Sequence, residues 1–88
     1  MEEAELQRLH KACSNNRASI KRGAKAGCFY CLEIFPKEDV QEWSSDHSGE
    51  YAICPRCGIN SVISQSEFPS LRDLRAALRP MHEYWFKR

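Results

Sequence analysis

The sequence predicts an α+β fold: a short antiparallel sheet around a metal-stapled centre, with a helix at each end. Three observations carry this. Cys28-Phe29-Tyr30-Cys31 and Cys54-Pro55-Arg56-Cys57 are two Cys-x-x-Cys pairs separated by 22 residues. The segments around them are short and rich in aromatic and branched residues, the composition of strands and tight turns. Both ends of the chain instead repeat apolar residues at helical spacing.

Eighty-eight residues suffice for one domain, and a chain this small buries only about 60–65% of its unfolded surface. A staple is therefore expected. The whole chain, 1–88, reads as one zinc-binding domain: a helical arm at 1–22, a metal module at 23–66 and a C-terminal helix at 67–88. Apolar residues make up 42% and charged residues 28%, an ordinary globular balance. The net charge of +1 argues neither for nor against a polyanionic partner. No apolar run approaches membrane-spanning length. The start, Met1-Glu2-Glu3-Ala4-Glu5, is acidic where a signal peptide is basic, so a cytoplasmic location is expected. There, paired Cys-x-x-Cys motifs hold metal more often than they form disulfides.

In residues 1–22, Ala4, Leu6, Leu9 and Cys13 recur at three-to-four spacing, with Ile20 further on. Glu2, Glu3 and Glu5 precede Arg8, Lys11, Arg17, Lys21 and Arg22, an order that suits the helix dipole. Ser14-Asn15-Asn16 is a poor helix interior and a candidate cap, so the arm is either broken there or two consecutive helices. Gly23 is a candidate stop, and Lys25 to Gly27 reads as a loop into the metal site. Cys28 to Phe35 reads as a turn followed by a short strand. Pro36 to Trp43 reads as one or two helical turns, with Val40 and Trp43 facing inward. Ser44 to Glu50 is a polar loop, Glu50 to Ile53 a strand, and Ile59 to Ile63 a strand leaving the second cysteine pair. After a loop at 64–70, Leu71, Leu74, Leu78, Met81 and Trp85 step by three and four. That is an amphipathic helix over 70–86 with Ser70 as N-cap and with Pro80 bending it rather than ending it.

Cys28, Cys31, Cys54 and Cys57 supply the tetrahedral four-thiolate shell of one structural Zn2+. Backbone N–H groups in each turn can point at the sulfurs, Gly58 eases the second turn, and Arg56 and Lys25 are placed to offset the negative charge. Binding a structural zinc ion contributes on the order of 10–16 kcal/mol apparent, more than a typical domain's total stability of about 5–15 kcal/mol. The metal-free chain is therefore expected to lose its central fold. Iron in a four-cysteine shell, or unligated or redox-active pairs, are the alternatives. The redox reading needs a βαβ context that is absent from the pattern. Because the chain fills all four positions, the ion has no open site for chemistry. Cys13 reads as a small buried apolar residue.

No acid–base or nucleophile set stands out, and no small-molecule substrate is evident. His47, after Asp46, matches the placement of an HNH-nuclease histidine only loosely, since six residues before Cys54 leave no room for that turnover. A solvated loop histidine is the ordinary reading. His82 reads as a surface or core-edge residue. Arg8, Lys11, Arg17, Lys21, Arg22 and Lys25 occur without an acid among them, and 33–50 holds Glu33, Glu38, Asp39, Glu42, Asp46 and Glu50 against Lys37 alone. The basic stretch either binds nucleic-acid phosphates or is balanced by the acidic one, and near-zero net charge favours balance. Arg72, Arg75 and Arg79 add a basic edge to the last helix. Phe29, Tyr30 and Phe35 read as core, and Tyr84-Trp85-Phe86 as the lock between last helix and metal module. The stripe on that helix also fits a short dimer seam.

Cys28-Phe29-Tyr30-Cys31, Trp43, the run Ala52 to Ile63 and the closing Trp85-Phe86 resemble a family of small bacterial zinc-knuckle proteins, usually labelled as cytoplasmic proteins of unknown function. The resemblance spans about His10 to Phe86 and implies a zinc knuckle without implying an activity. At fold level the knuckles resemble zinc-ribbon and treble-clef modules, which serve nucleic-acid binding, protein binding and, rarely, catalysis. The leading expectation is a non-enzymatic binding or adaptor protein. A nucleic-acid binder using residues 8–25 is the alternative and an HNH-like nuclease a lesser one.

Overall fold

The computed structural model describes residues 2–86. Met1, Lys87 and Arg88, the outermost positions of the expected 1–22 arm and 67–88 segment, lie outside the described residues. In order, the elements are α1 (Glu3–Lys11), α2 (Arg17–Arg22), β1 (Lys25–Cys28), β2 (Ile34–Pro36), a 3-10 turn (Lys37–Asp39), β3 (Trp43–Asp46), β4 (Gly49–Ala52), β5 (Val62–Ser64), a second 3-10 turn (Gln65–Glu67) and α3 (Leu71–Phe86). The fold is α+β, with short antiparallel sheets between an N-terminal and a C-terminal helix.

A three-stranded antiparallel sheet, β2-β1-β5, holds the molecule together. Ala26 lies opposite Phe35 and Ser64, and Cys28 opposite Val62. Alternation along the strands then gives the sheet two apolar faces. Ala26, Cys28, Phe35 and Val62 pack with Ile20, Val40, Ala52 and Cys54 on one side. On the other side, Ile63 and half-buried Ile34 pack against α1 and α3 through Leu6, Leu9, Leu74, Leu78 and Met81. Gly27 faces α3 so closely that a Cβ there would sit 3.0 Å from a Leu78 methyl. A glycine at this position lets helix and sheet approach.

Several local expectations change. Lys25 to Gly27 is not a loop but most of the central strand. Its Ala and Gly have little β propensity, and pairing on both edges decides the matter instead. The polar stretch from Ser44 is a hairpin, β3 pairing β4 with Asp46 opposite Gly49. Asp46 Oδ1 accepts the Ser48 N–H at 2.8 Å, closing the turn. After Pro36 only one 3-10 turn forms; Val40 is buried and half-buried Trp43 packs on the same core, both inward as expected, but Trp43 lies in a strand. Between Ile59 and Ser61 the chain is irregular, and the strand leaving the second cysteine pair begins at Val62.

The arm is two helices. Ala4 is exposed, whereas Leu6, Leu9 and Cys13 are buried. Asn16 stands at the start of α2 without a side-chain cap. It is buried, and its amide donates to the Ala12 and Val62 carbonyls at 3.0 and 2.8 Å while accepting the Ala52 N–H at 3.1 Å. One side chain thus ties the helical arm to both sheets. Gly23 ends α2 in extended backbone (φ −88°), so packing, not a left-handed cap, selects glycine there. A Cβ on Gly23 would lie 2.8 Å from Ser64 Oγ.

Helix α3 behaves as its stripe predicts. Ser70 Oγ accepts the Asp73 N–H at 3.2 Å and donates to the Asp73 carboxylate at 3.1 Å, a capped start. Leu74, Ala77, Leu78 and Met81 are buried, and the helix runs through Pro80 without ending. Since the core consumes this stripe, it is not available as a dimer seam. No helix among the described residues is long and apolar enough to cross a membrane.

Candidate metal centre

The two cysteine pairs meet. Their four sulfurs all lie within 4.8 Å of one another, and no disulfide joins any of the five cysteines. Cys28 Sγ is 3.7 Å from Cys57 Sγ, and Cys31 Sγ is 3.7 Å from Cys54 Sγ. A zinc ion with four sulfurs at about 2.3 Å requires sulfur–sulfur edges of about 3.8 Å. The donor set and these edges fit a single zinc site. Cys28 and Cys54 are buried, while Cys31 and Cys57 are half-buried.

Backbone geometry explains why two separate segments deliver sulfur in the same way. In the first knuckle, Cys28 N–H donates to the Glu33 carbonyl at 3.0 Å and Leu32 N–H to the Cys28 carbonyl at 2.8 Å. In the second, Cys54 N–H donates to the Ile59 carbonyl at 2.9 Å and Gly58 N–H to the Cys54 carbonyl at 3.0 Å. Each turn also aims an N–H at its leading sulfur: Tyr30 to Cys28 at 3.4 Å and Arg56 to Cys54 at 3.3 Å. Such bonds spread thiolate charge into the backbone. Both turns close with a residue at positive φ, Leu32 at 67° and Gly58 at 81°. Leu32 holds the place glycine takes in the other knuckle. A left-handed L-residue costs about 1–2 kcal/mol, and the sequence pattern marked only the glycine.

Without metal the thiols do not share one environment. Burial pushes Cys28 well above the usual thiol range, opposed by the N–H groups of Cys31 and Tyr30 and reinforced by nearby Cys54 and Cys31. Burial likewise pushes Cys31 up to about 11. Cys54 is also pushed up by burial, but the N–H groups of Arg56 and Cys57 and the thiols of Cys57 and Cys31 outweigh it and leave it lowered. Metal binding must displace the protons held by the raised thiols. When bound, the ion supplies a crosslink between the two knuckles.

The surroundings depart from expectation in one respect. Arg56 does not turn its guanidinium to the sulfurs but pairs with Asp39 at 2.9 Å and lies over the Phe35 ring; only its backbone N–H serves Cys54. Lys25 lies in β1, half-buried, with its own N–H on Gln65. Cys13 is buried away from the cluster, its thiol donating to the His10 carbonyl at 2.9 Å, and burial raises it. His47 sits exposed between β3 and β4, outside the four-cysteine cluster. His82 is half-buried at the core edge, with Nδ1 3.0 Å from the Phe29 carbonyl.

The basic stretch is divided among elements. Arg8 and Lys11 are exposed on α1, and Arg8 approaches Glu5 at 3.9 Å. On α2, Arg17 pairs with Glu50 at 2.9 Å and lies over the Trp43 ring. That is the balance of basic and acidic segments that the net charge favoured, at one residue. Lys21 and Arg22 are exposed and make no ion pair among the described residues.

The aromatic residues split as well. Phe29 and Phe35 are core, but Tyr30 is 44% exposed. Phe86 locks α3 to the first knuckle, its ring 5.7 Å from Phe29 and edge-on to Tyr30 at 4.9 Å. Trp85 and Tyr84 instead reach α1: the Trp85 ring packs at a tilt against His10, centroids 4.1 Å apart, and Tyr84 donates to Glu3 at 2.7 Å. The closing cluster therefore joins three elements. No family model, curated protein or solved structure matches this chain.

Proposed function

We infer that this is a zinc-stabilised binding module, acting in the cytoplasm without catalysing a reaction, whose metal ion is structural. The observation that carries the reading is the closed donor set: four sulfurs from one chain, all within 4.8 Å of one another and with two edges of 3.7 Å, and a turn N–H directed at each leading sulfur. An ion so enclosed has no position for water or substrate. The zinc fixes the knuckles, the knuckles fix the sheet and α3, and the exposed faces of these elements meet the partner. The resemblance to small bacterial zinc-knuckle proteins agrees with this reading.

The ligand field tests it. Cobalt(II) replaces zinc in a four-thiolate site and reports its coordination in the visible spectrum. The spectrum of the cobalt-substituted protein is expected to stay unchanged when azide or imidazole is added. A shift would reveal an open coordination position and overturn the structural role.

A second reading, nucleic-acid binding through residues 8–25, draws support from exposed Lys11, Lys21 and Arg22. If it holds, replacing Lys21 and Arg22 by glutamine weakens binding and flattens its salt dependence.

A further inference from the structure

The outer face of α3 carries a row of arginines that neither the metal nor the core uses, continued by His82 and Phe86 at the first knuckle. At 3.6 residues per turn, Arg72, Arg75, Arg79, His82 and Phe86 fall within an arc of about 80°. The buried stripe of Leu74, Ala77, Leu78 and Met81 lies on the other side. The three arginines are exposed and make no ion pair among the described residues. Asp73 is turned away from the arc, and Glu83 lies at its edge.

The first knuckle forms the other wall. Leu32, Leu78, Arg75 and Arg79 line a cleft of about 200 Å³. Further along, Tyr30 (44% exposed) and Phe86 (41% exposed) stand edge to face, with His82 beside both rings. Arg75 and Arg79 are one helical turn apart, about 6 Å along the axis, and Phe86 lies about 10 Å beyond Arg79. Cations in a row leading to exposed rings are the two parts of a single-strand nucleic-acid surface: guanidinium groups for phosphates and rings on which bases stack.

We propose that single-stranded nucleic acid binds along α3, with Arg72, Arg75 and Arg79 on the phosphates and with bases stacked on Tyr30 and Phe86. The proposal rests on the binding-module reading and names its partner class. An acidic protein surface satisfies the arginines but makes no use of the ring surface that Tyr30 and Phe86 leave exposed while they lock α3 to the knuckle. Left-handed Leu32 and the first knuckle hold Tyr30 and the cleft wall in place, so the zinc ion organises the surface without touching the ligand.

The test uses zinc-loaded full-length protein and fluorescent oligothymidylate and oligouridylate of about ten nucleotides, each titrated at several salt concentrations. Three phosphate contacts give a log–log salt slope of about −2, and each arginine removed takes off about 0.7. Arg75→Gln and Arg79→Gln should flatten the slope accordingly while zinc content and melting temperature stay unchanged. Tyr30→Ala should weaken binding about tenfold without changing the slope, a separation that loss of fold does not produce. Preference between the two oligomers tells DNA from RNA. The proposal is overturned if neither oligomer binds, if binding ignores Tyr30→Ala and heparin binds as well, or if the α3 variants bind normally while Lys21→Gln with Arg22→Gln does not. That last result moves the site to α2 and leaves the binding-module reading standing, whereas only an open metal position in the cobalt spectrum removes it.

Discussion

The two knuckles make the same turn for opposite surroundings. Each has a cysteine N–H bonded five residues ahead, an N–H on its leading sulfur and a left-handed residue at its close. The first is pressed under α3: Phe29 is buried, Tyr30 meets Phe86 and Leu32 lines a cleft with α3. The second stands at the surface, where Pro55, Arg56 and Gly58 are exposed and a Cβ on Gly58 would touch nothing within 4 Å. Backbone hydrogen bonding therefore sets the metal geometry, and the intervening side chains are free to serve other ends. In the first knuckle they meet α3; in the second Arg56 turns away from the sulfurs to Asp39 and the Phe35 ring.

Removing a ligand has the largest effect on both knuckles. Cys54→Ser should abolish stoichiometric zinc and, with it, about 10–16 kcal/mol of apparent binding free energy, so the variant should lose the dispersion of its amide NMR spectrum. Chelation of the parent should do the same.

Acid acts on the same bonds more gradually. Cys28 and Cys31 hold their protons at every pH below their raised values, so a falling pH strengthens the proton as competitor and the zinc-derived stability declines. With at least two protons displaced, apparent zinc affinity should fall at least about 100-fold per pH unit below neutrality. Competition titrations with a chromogenic chelator measure the slope; a pH-independent affinity would contradict it.

Next comes the tie between the knuckles. Asn16 joins Ala52, which leads into Cys54, to Val62, which pairs with Cys28. Asn16→Ala leaves buried backbone groups without partners, at about 1–3 kcal/mol for each. Thermal unfolding of the zinc-loaded variant should show a clearly lowered melting temperature with zinc still bound.

The smallest effects compare the left-handed residues directly. Gly58→Ala should cost about 1–2 kcal/mol, because backbone conformation alone is at stake. Leu32→Gly gains a similar amount but loses Leu32's packing against the core, so its melting temperature should move less. If Leu32→Gly stabilises the protein as much as Gly58→Ala destabilises it, the Leu32 side chain does not support the cleft.

How legible all this was depends on where the cause lay. The four ligands, the left-handed Gly58, the break in the arm and the apolar stripe of α3 are local patterns, and the structure keeps each of them. What the sequence hid was set by distant partners. Lys25-Ala26-Gly27 has no strand signature because its strand is made by pairing with β2 and β5. Ser44 to Glu50 looks like a polar loop because its hairpin exposes most of its side chains. Asn16 has the composition of a cap, and only folding brings Ala52 and Val62 to it. Leu32 gave one recoverable signal, its position after Cys31, equivalent to Gly58 after Cys57. Phe86 locks α3 to the knuckle as the sequence suggests, but Tyr30 reads as core because its exposure depends on how α3 ends against the knuckle.

One zinc ion, enclosed by sulfur alone, organises both knuckles. Zinc-edge X-ray absorption on the purified protein tests this most directly. The expected result is one zinc per chain with four sulfurs at about 2.3 Å and no lighter ligand. A nitrogen or oxygen at about 2.0–2.2 Å in place of one sulfur would contradict the account and return the metal to the list of reactive centres.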